Sequence, residues 1–140
     1  MTNDSNTTSY ATKTADYPAV AMASGLAINS DTTIVAGDTN ASIITDILIR
    51  NTGSQVLAID VFIGSTATSE NNVCRISIPA NSGNNGSTAI ASLAALVPAL
   101  FDLDLAGNRV LTLESGVTIY FRNIAALTNA FYVRVKRRNF

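Results

Sequence analysis

Few residues of this chain could do chemistry, and the closest pair of them is Asp102 and Asp104, in Phe101-Asp-Leu-Asp-Leu105. Paired carboxylates suit acid–base work or cation binding. Here they alternate with Leu103 and Leu105, which places both on one face of an extended stretch and reads as a solvated strand face. The Ala-Gly-Asn that follows adds Asn108 as an oxygen donor. A calcium site at Asp102, Asp104 and Asn108 nevertheless fits poorly, because the usual ligand spacing and terminal glutamate are missing. The single cysteine, Cys74, excludes an internal disulfide. Its apolar setting, Val-Cys-Arg-Ile-Ser-Ile, reads as a small buried hydrophobe. Histidine is absent, so the commonest proton carrier and metal ligand is missing, and Ser/His/Asp or Cys/His nucleophiles cannot be assembled. No glycine-rich loop could cradle a phosphate. The expectation is a non-enzyme without cofactor or metal.

Charge points instead to a surface. In Ala130-Phe-Tyr-Val-Arg-Val-Lys-Arg-Arg-Asn-Phe140, strand alternation sends Phe131, Val133 and Val135 inward. Tyr132, Arg134, Lys136 and Arg138 then share the outer face, with Arg137 beyond the inner row. Three readings compete: an edge strand guarded by cations, docking on an acidic protein surface, or nucleic acid. The last is disfavoured, because phosphate binding draws on a wider basic field and the chain is slightly acidic overall. At the other terminus, residues 1–17 are polar, and Tyr10 and Tyr17 are their only large aromatic side chains. Aromatic anchors on a polar arm suit docking to a partner; packing back on the same domain is the equal alternative.

The elements that must position these groups are strands. Leu57, Ile59, Val61 and Ile63 form one row, and Val56, Ala58, Asp60 and Phe62 the other, which predicts a central strand covered on both sides. Residues 43–50 read as its hairpin partner across a turn at 51–55. Cys74, Ile76 and Ile78 form the inner row of a strand that Pro79 ends. Val117, Ile119 and Phe121 form another, opposite Thr118, Tyr120 and Arg122. Segments 20–29 and 32–36 are weaker extended candidates. One stretch breaks the alternation: Ile90, Leu93, Ala94 and Val97 follow helical spacing. This predicts a short helix near 88–98, capped by Ser87 or Thr88 and ended by Pro98. It reads as a plug for one end of the domain or as a contact between subunits.

Composition agrees with an assembly subunit. Only 14% of residues are charged, against about 25% in typical soluble domains, so much of the surface is expected to be covered by other subunits. No stretch approaches the ~20 apolar residues of a membrane helix. The N-terminus lacks a secretory pattern, which predicts a product of the cytoplasm.

The second half, Leu96-Val-Pro-Ala-Leu-Phe-Asp-Leu-Asp-Leu-Ala-Gly-Asn-Arg-Val-Leu-Thr-Leu-Glu-Ser-Gly-Val-Thr-Ile-Tyr120, followed by a closing basic strand, resembles small virion proteins of tailed bacteriophages. With the earlier Asp46-Ile-Leu-Ile-Arg-Asn-Thr-Gly-Ser and Ile59-Asp-Val-Phe-Ile-Gly64, the likeness spans roughly residues 43–137 and is greatest to β-sandwich decoration (cement) proteins. It implies a virion protein on the capsid exterior, made in the host cytoplasm. Its partners would be the major capsid protein and copies of itself, in a homo-oligomer such as a trimer. The resulting expectation is an all-β, single-domain antiparallel β-sandwich, jelly-roll-like, over 18–140, with an extended arm over 1–17. Its interface would comprise Tyr10, Tyr17, Tyr132, Arg134, Lys136, Arg137 and Arg138. A neck, tail or fibre-base role, and a glycan- or host-surface-binding jelly roll, are the alternatives. The low aromatic content (6%, without tryptophan) weakens the glycan reading.

Overall fold

Alternating apolar residues become strands wherever a turn allows the chain to reverse. The computed structural model describes residues 17–139. Its strands are β1 (Ala19–Met22), β2 (Asp31–Val35), β3 (Ser42–Asn51), β4 (Leu57–Gly64), β5 (Asn72–Ile78), β6 (Ala91–Ser92), β7 (Asp102–Leu103), β8 (Arg109–Leu113), β9 (Thr118–Asn123) and β10 (Phe131–Asn139), with one short helix, α1 (Leu93–Leu96). They form two antiparallel sheets. The six-stranded sheet runs β1-β10-β3-β8-β7, with β6 also paired to β3, and the four-stranded sheet runs β2-β9-β4-β5. β1-β10-β3-β8 facing β2-β9-β4-β5 is the strand order of a jelly roll, in which the chain repeatedly crosses from one sheet to the other.

The inner rows meet in one core. Ile44, Ile47, Ile49, Phe131, Val133 and Val135 come from the larger sheet, and Leu57, Ile59, Val61, Ile78, Ile119 and Phe121 from the smaller. All are buried, and each such side chain contributes roughly 1.5–3 kcal/mol of apolar burial. Cys74 and Val117 pack partly buried against the same cluster.

The structure departs from the sequence expectations at two places. First, β3 and β4 are not a hairpin: β3 pairs with β10, β8 and β6, while β4 pairs with β5 and β9. Both strands carry a continuous aliphatic row, and stacking them face to face buries both rows. Asn51 makes the corner. Wholly buried, its Nδ2 donates to the carbonyls of Gln55 (2.6 Å) and Pro79 (3.0 Å), and its Oδ1 accepts from the Gly53 N–H (3.0 Å). Gly53 leaves room for the Asn129 side chain, which a Cβ at that position would force to shift.

Second, the helix is shorter and starts later. Ala91 and Ser92 bond to β3 opposite Ile49 and Leu48, so the backbone groups expected to begin a helix satisfy the sheet instead. Ser92, rather than Ser87 or Thr88, caps α1 by accepting from the Ala95 N–H (3.3 Å). After Val97, Pro98 begins a separate 3₁₀ turn (Pro98–Leu100). Leu93 is buried in the core and Ile90 is exposed. A register shift between Lys136 and Arg137 opposite β3 accompanies an Asp46 side chain turned toward α1. Its carboxylate accepts from Ser92 Oγ (2.6 Å) and the Ala94 N–H (3.1 Å).

Candidate functional site

The carboxylate pair forms no site. Asp104 Oδ1 accepts the backbone N–H groups of Ala106 (2.9 Å) and Asn108 (2.8 Å), while the Asp104 N–H donates to the Asn108 carbonyl (2.9 Å). Asp104 and Asn108 therefore close the turn between β7 and β8, a local use typical of Asp and Asn. Among the described residues, no three His, Cys, Asp or Glu side chains come together as a metal could require. Cys74 is half-buried; burial first, then the nearby Asp60 carboxylate, push its thiol pKa up. A thiol held protonated is a packing group and a poor nucleophile.

The basic strand is interior at its start and an edge toward its end among the described residues. β10 is paired with β3 along its full length and with β1 over Phe131 to Arg134; from Lys136 to Arg138 its only described strand partner is β3, so the edge-guard reading stays open for that stretch. Tyr132 and Arg134 are exposed, Lys136 is half-buried and Arg138 exposed. Arg137 lies opposite Ile44, on the inner-row side, and is half-buried with interactions of its own; the structure thus separates it from the other four. Tyr17 joins the patch through its backbone: its carbonyl accepts from Arg134 Nη1 (3.1 Å), and its side chain is exposed. Tyr10 lies outside the described residues.

Two cations missing from the sequence reading complete this face. Arg50, directly opposite Tyr132 on β3, holds its guanidinium 4.9 Å from the Tyr132 ring centroid. Arg109, at the start of β8, lines a depression of about 660 Å³ together with Asp46, Asp104, Lys136 and Arg138. A second depression, of about 380 Å³, is lined by Ala19, Leu48, Arg50, Ile90, Tyr132 and Arg134. Arg50 falls at an outward position of its strand in the sequence. Only the pairing of β3 with β10 reveals which cations it joins.

The outer face of the four-stranded sheet spends its charges internally. Register places Asp31, Arg122, Asp60 and Arg75 in one row across β2, β9, β4 and β5. Arg122 holds Asp31 bidentately (2.6 and 3.1 Å), and Arg75 holds Asp60 (2.7 and 3.0 Å). Hydrogen bonding to those aspartates raises the pKa of each guanidinium. Arg122 also covers Phe62, 4.6 Å from its ring centroid, so a cation and not a further layer shields the outward row of β4. By contrast Arg50, Arg109, Arg134, Lys136 and Arg138 make no ion pair with a described residue. On β10 they stand every second residue, about 7 Å apart. That lies within the ~8 Å screening length of physiological salt, so their fields add.

No protein-family model, curated protein or solved structure matches this chain.

Proposed function

We propose that the chain is a structural subunit of a bacteriophage virion, a capsid decoration protein that docks on the outside of the major capsid protein shell. The observation that carries this reading is the segregation of charge. One face of the jelly roll neutralises itself with bidentate pairs, while the other gathers cations without an ion pair to a described residue around two depressions, the first also lined by Asp46 and Asp104. The resemblance over residues 43–137 supports the same reading.

The mechanism is interface physics. Lys136 and Arg138, with Arg109 beside them, set the register and on-rate of docking on an acidic shell surface. Repetition over a lattice turns modest single contacts into avidity, and bridging neighbouring capsid subunits opposes internal pressure. The glycan reading draws less support: the exposed ring Tyr132 is already stacked by Arg50.

The test adds purified chain to particles lacking it and follows co-sedimentation, heat release of DNA and electron microscopy. Binding that weakens steeply with salt and with Lys136→Glu/Arg138→Glu, together with a higher rupture temperature, is the expected result. Particles equally resistant with and without the chain would sink the cement role. Density at the neck, tail or fibre base would move the subunit to that position instead.

A further inference from the structure

Asn85 is the one asparagine of the sequence that precedes a glycine, and the fold sets that pair in a firmly held, open turn. The segment 81–88 is anchored by the buried Ser82. Its carbonyl accepts from the Asn51 N–H (2.9 Å), and its hydroxyl donates to the Pro79 carbonyl (2.7 Å). The Gly83 N–H donates to the Thr88 carbonyl (2.8 Å) and closes the base of the loop. Between those two residues, Asn85 and Gly86 stand exposed.

The turn acts on the Asn85 amide in two ways. Its Oδ1 accepts from the backbone N–H groups of Ser87 (3.0 Å) and Thr88 (2.9 Å). Two donors on one carbonyl oxygen draw electron density from Cγ and favour negative charge on that oxygen, as an oxyanion hole does. Both donors follow Gly86 in the chain, so the amide is folded forward along the Gly86 peptide. The Gly86 N–H makes no hydrogen bond with a described residue. Gly86 also holds a positive φ (76°) and has open space where a side chain would stand, so nothing crowds a ring closed there.

We infer that Asn85 is a site of spontaneous deamidation in the folded protein. The Gly86 nitrogen gives its proton to solvent base and forms a bond to Asn85 Cγ, an attack that proximity within one chain favours. The bond from Cγ to the side-chain nitrogen breaks, and that nitrogen takes up a proton and leaves as ammonia. Water then opens the five-membered imide at either carbonyl. Cleavage between Cγ and the Gly86 nitrogen gives aspartate. Cleavage at the former main-chain carbonyl gives isoaspartate, with the backbone rerouted through the side chain. Either product carries a carboxylate one residue from Asn84, whose Oδ1 accepts from Arg50 Nη1 (3.4 Å). The new negative charge therefore arises on the flank of the cationic face and weakens its field as the protein ages. The inference does not rest on the virion reading, because its readouts are the mass and charge of the purified chain.

Ageing the full, folded chain in mildly alkaline buffer tests it, with peptide mass mapping and enzymatic methylation of isoaspartate. Asn85 is expected to convert from amide to acid before any other asparagine, with isoaspartate appearing at the same position. Native electrophoresis should show a species carrying a single extra negative charge accumulating in step. Asn85→Gln, which must close a larger ring, should stay unconverted at that position and keep the circular dichroism melt of the wild type. A folded chain that stays intact at Asn85 while the same chain in urea converts would show that the turn protects the amide, and would overturn the proposal. Conversion led by another asparagine would overturn it equally.

Discussion

Asn51 ties the corner between the sheets with one side chain, and its loss should be felt out of proportion to its size. Asn51→Ala removes the side-chain partner of the half-buried Gln55 carbonyl and Gly53 N–H and one of the bonds to the Pro79 carbonyl, which still accepts from Ser82 Oγ, and leaves a hole at a wholly buried position. The expected cost is about 2–4 kcal/mol, read as a lower urea midpoint at unchanged m-value. Cys74 makes a prediction in pH. Its folded pKa is raised above the ordinary 9.0, by burial first and Asp60 second. Above about pH 9 the unfolded chain releases the thiol proton more readily than the folded one, so stability falls as pH rises; below that range the term is silent. Cys74→Ser should flatten this alkaline fall relative to the wild type in paired urea titrations. The native thiol should also react far more slowly with a disulfide reagent than the unfolded one.

Among the elements, β4 and β10 show how a strand's outward row acquires its role. β4 is covered on its outer side by the charge ladder, in which Arg122 bonds Asp31 and the Ala67 carbonyl and stacks on Phe62. Arg75, with a more exposed side chain, holds Asp60 alone. Arg122→Ala should therefore destabilise by about 1–2 kcal/mol, and Arg75→Ala by clearly less, in the same denaturation assay. The outward row of β10 was readable in order and parity, because alternation along one strand is local. Its position between two neighbours was not: hydrogen-bonding partners come from β1 and β3, at distant points of the chain. The helix was legible as existing near its apolar spacing and illegible in its start, because the competing bond of Ala91 and Ser92 to β3 appears only once β3 is in place.

At the scale of the whole molecule, the jelly roll joins its first described strand to its last, so folding must close long loops before the sheets reward it; refolding in milliseconds to seconds is the expected range. The described core reaches from Met22 to Val135. Removing residues 1–16 should accordingly leave the thermal midpoint close to that of the full chain, while removing 131–140 should abolish the cooperative transition, both followed by circular dichroism. If the arm is a strap, its deletion should weaken particle binding in the same preparation. The sequence by itself determined the all-β class, the inner rows such as Val117, Ile119 and Phe121, and the poverty of catalytic groups. Side-chain direction on a strand and residue inventory are properties of short segments or of no geometry at all. Only the tertiary structure decided that residues 51–55 turn a corner, that the first half of β10 lies between β1 and β3, and that Arg50 and Arg109 join its cations. Those outcomes depend on which distant surfaces bury each other best and on bonds such as Asn51 to Pro79, 28 residues apart, which no local pattern encodes.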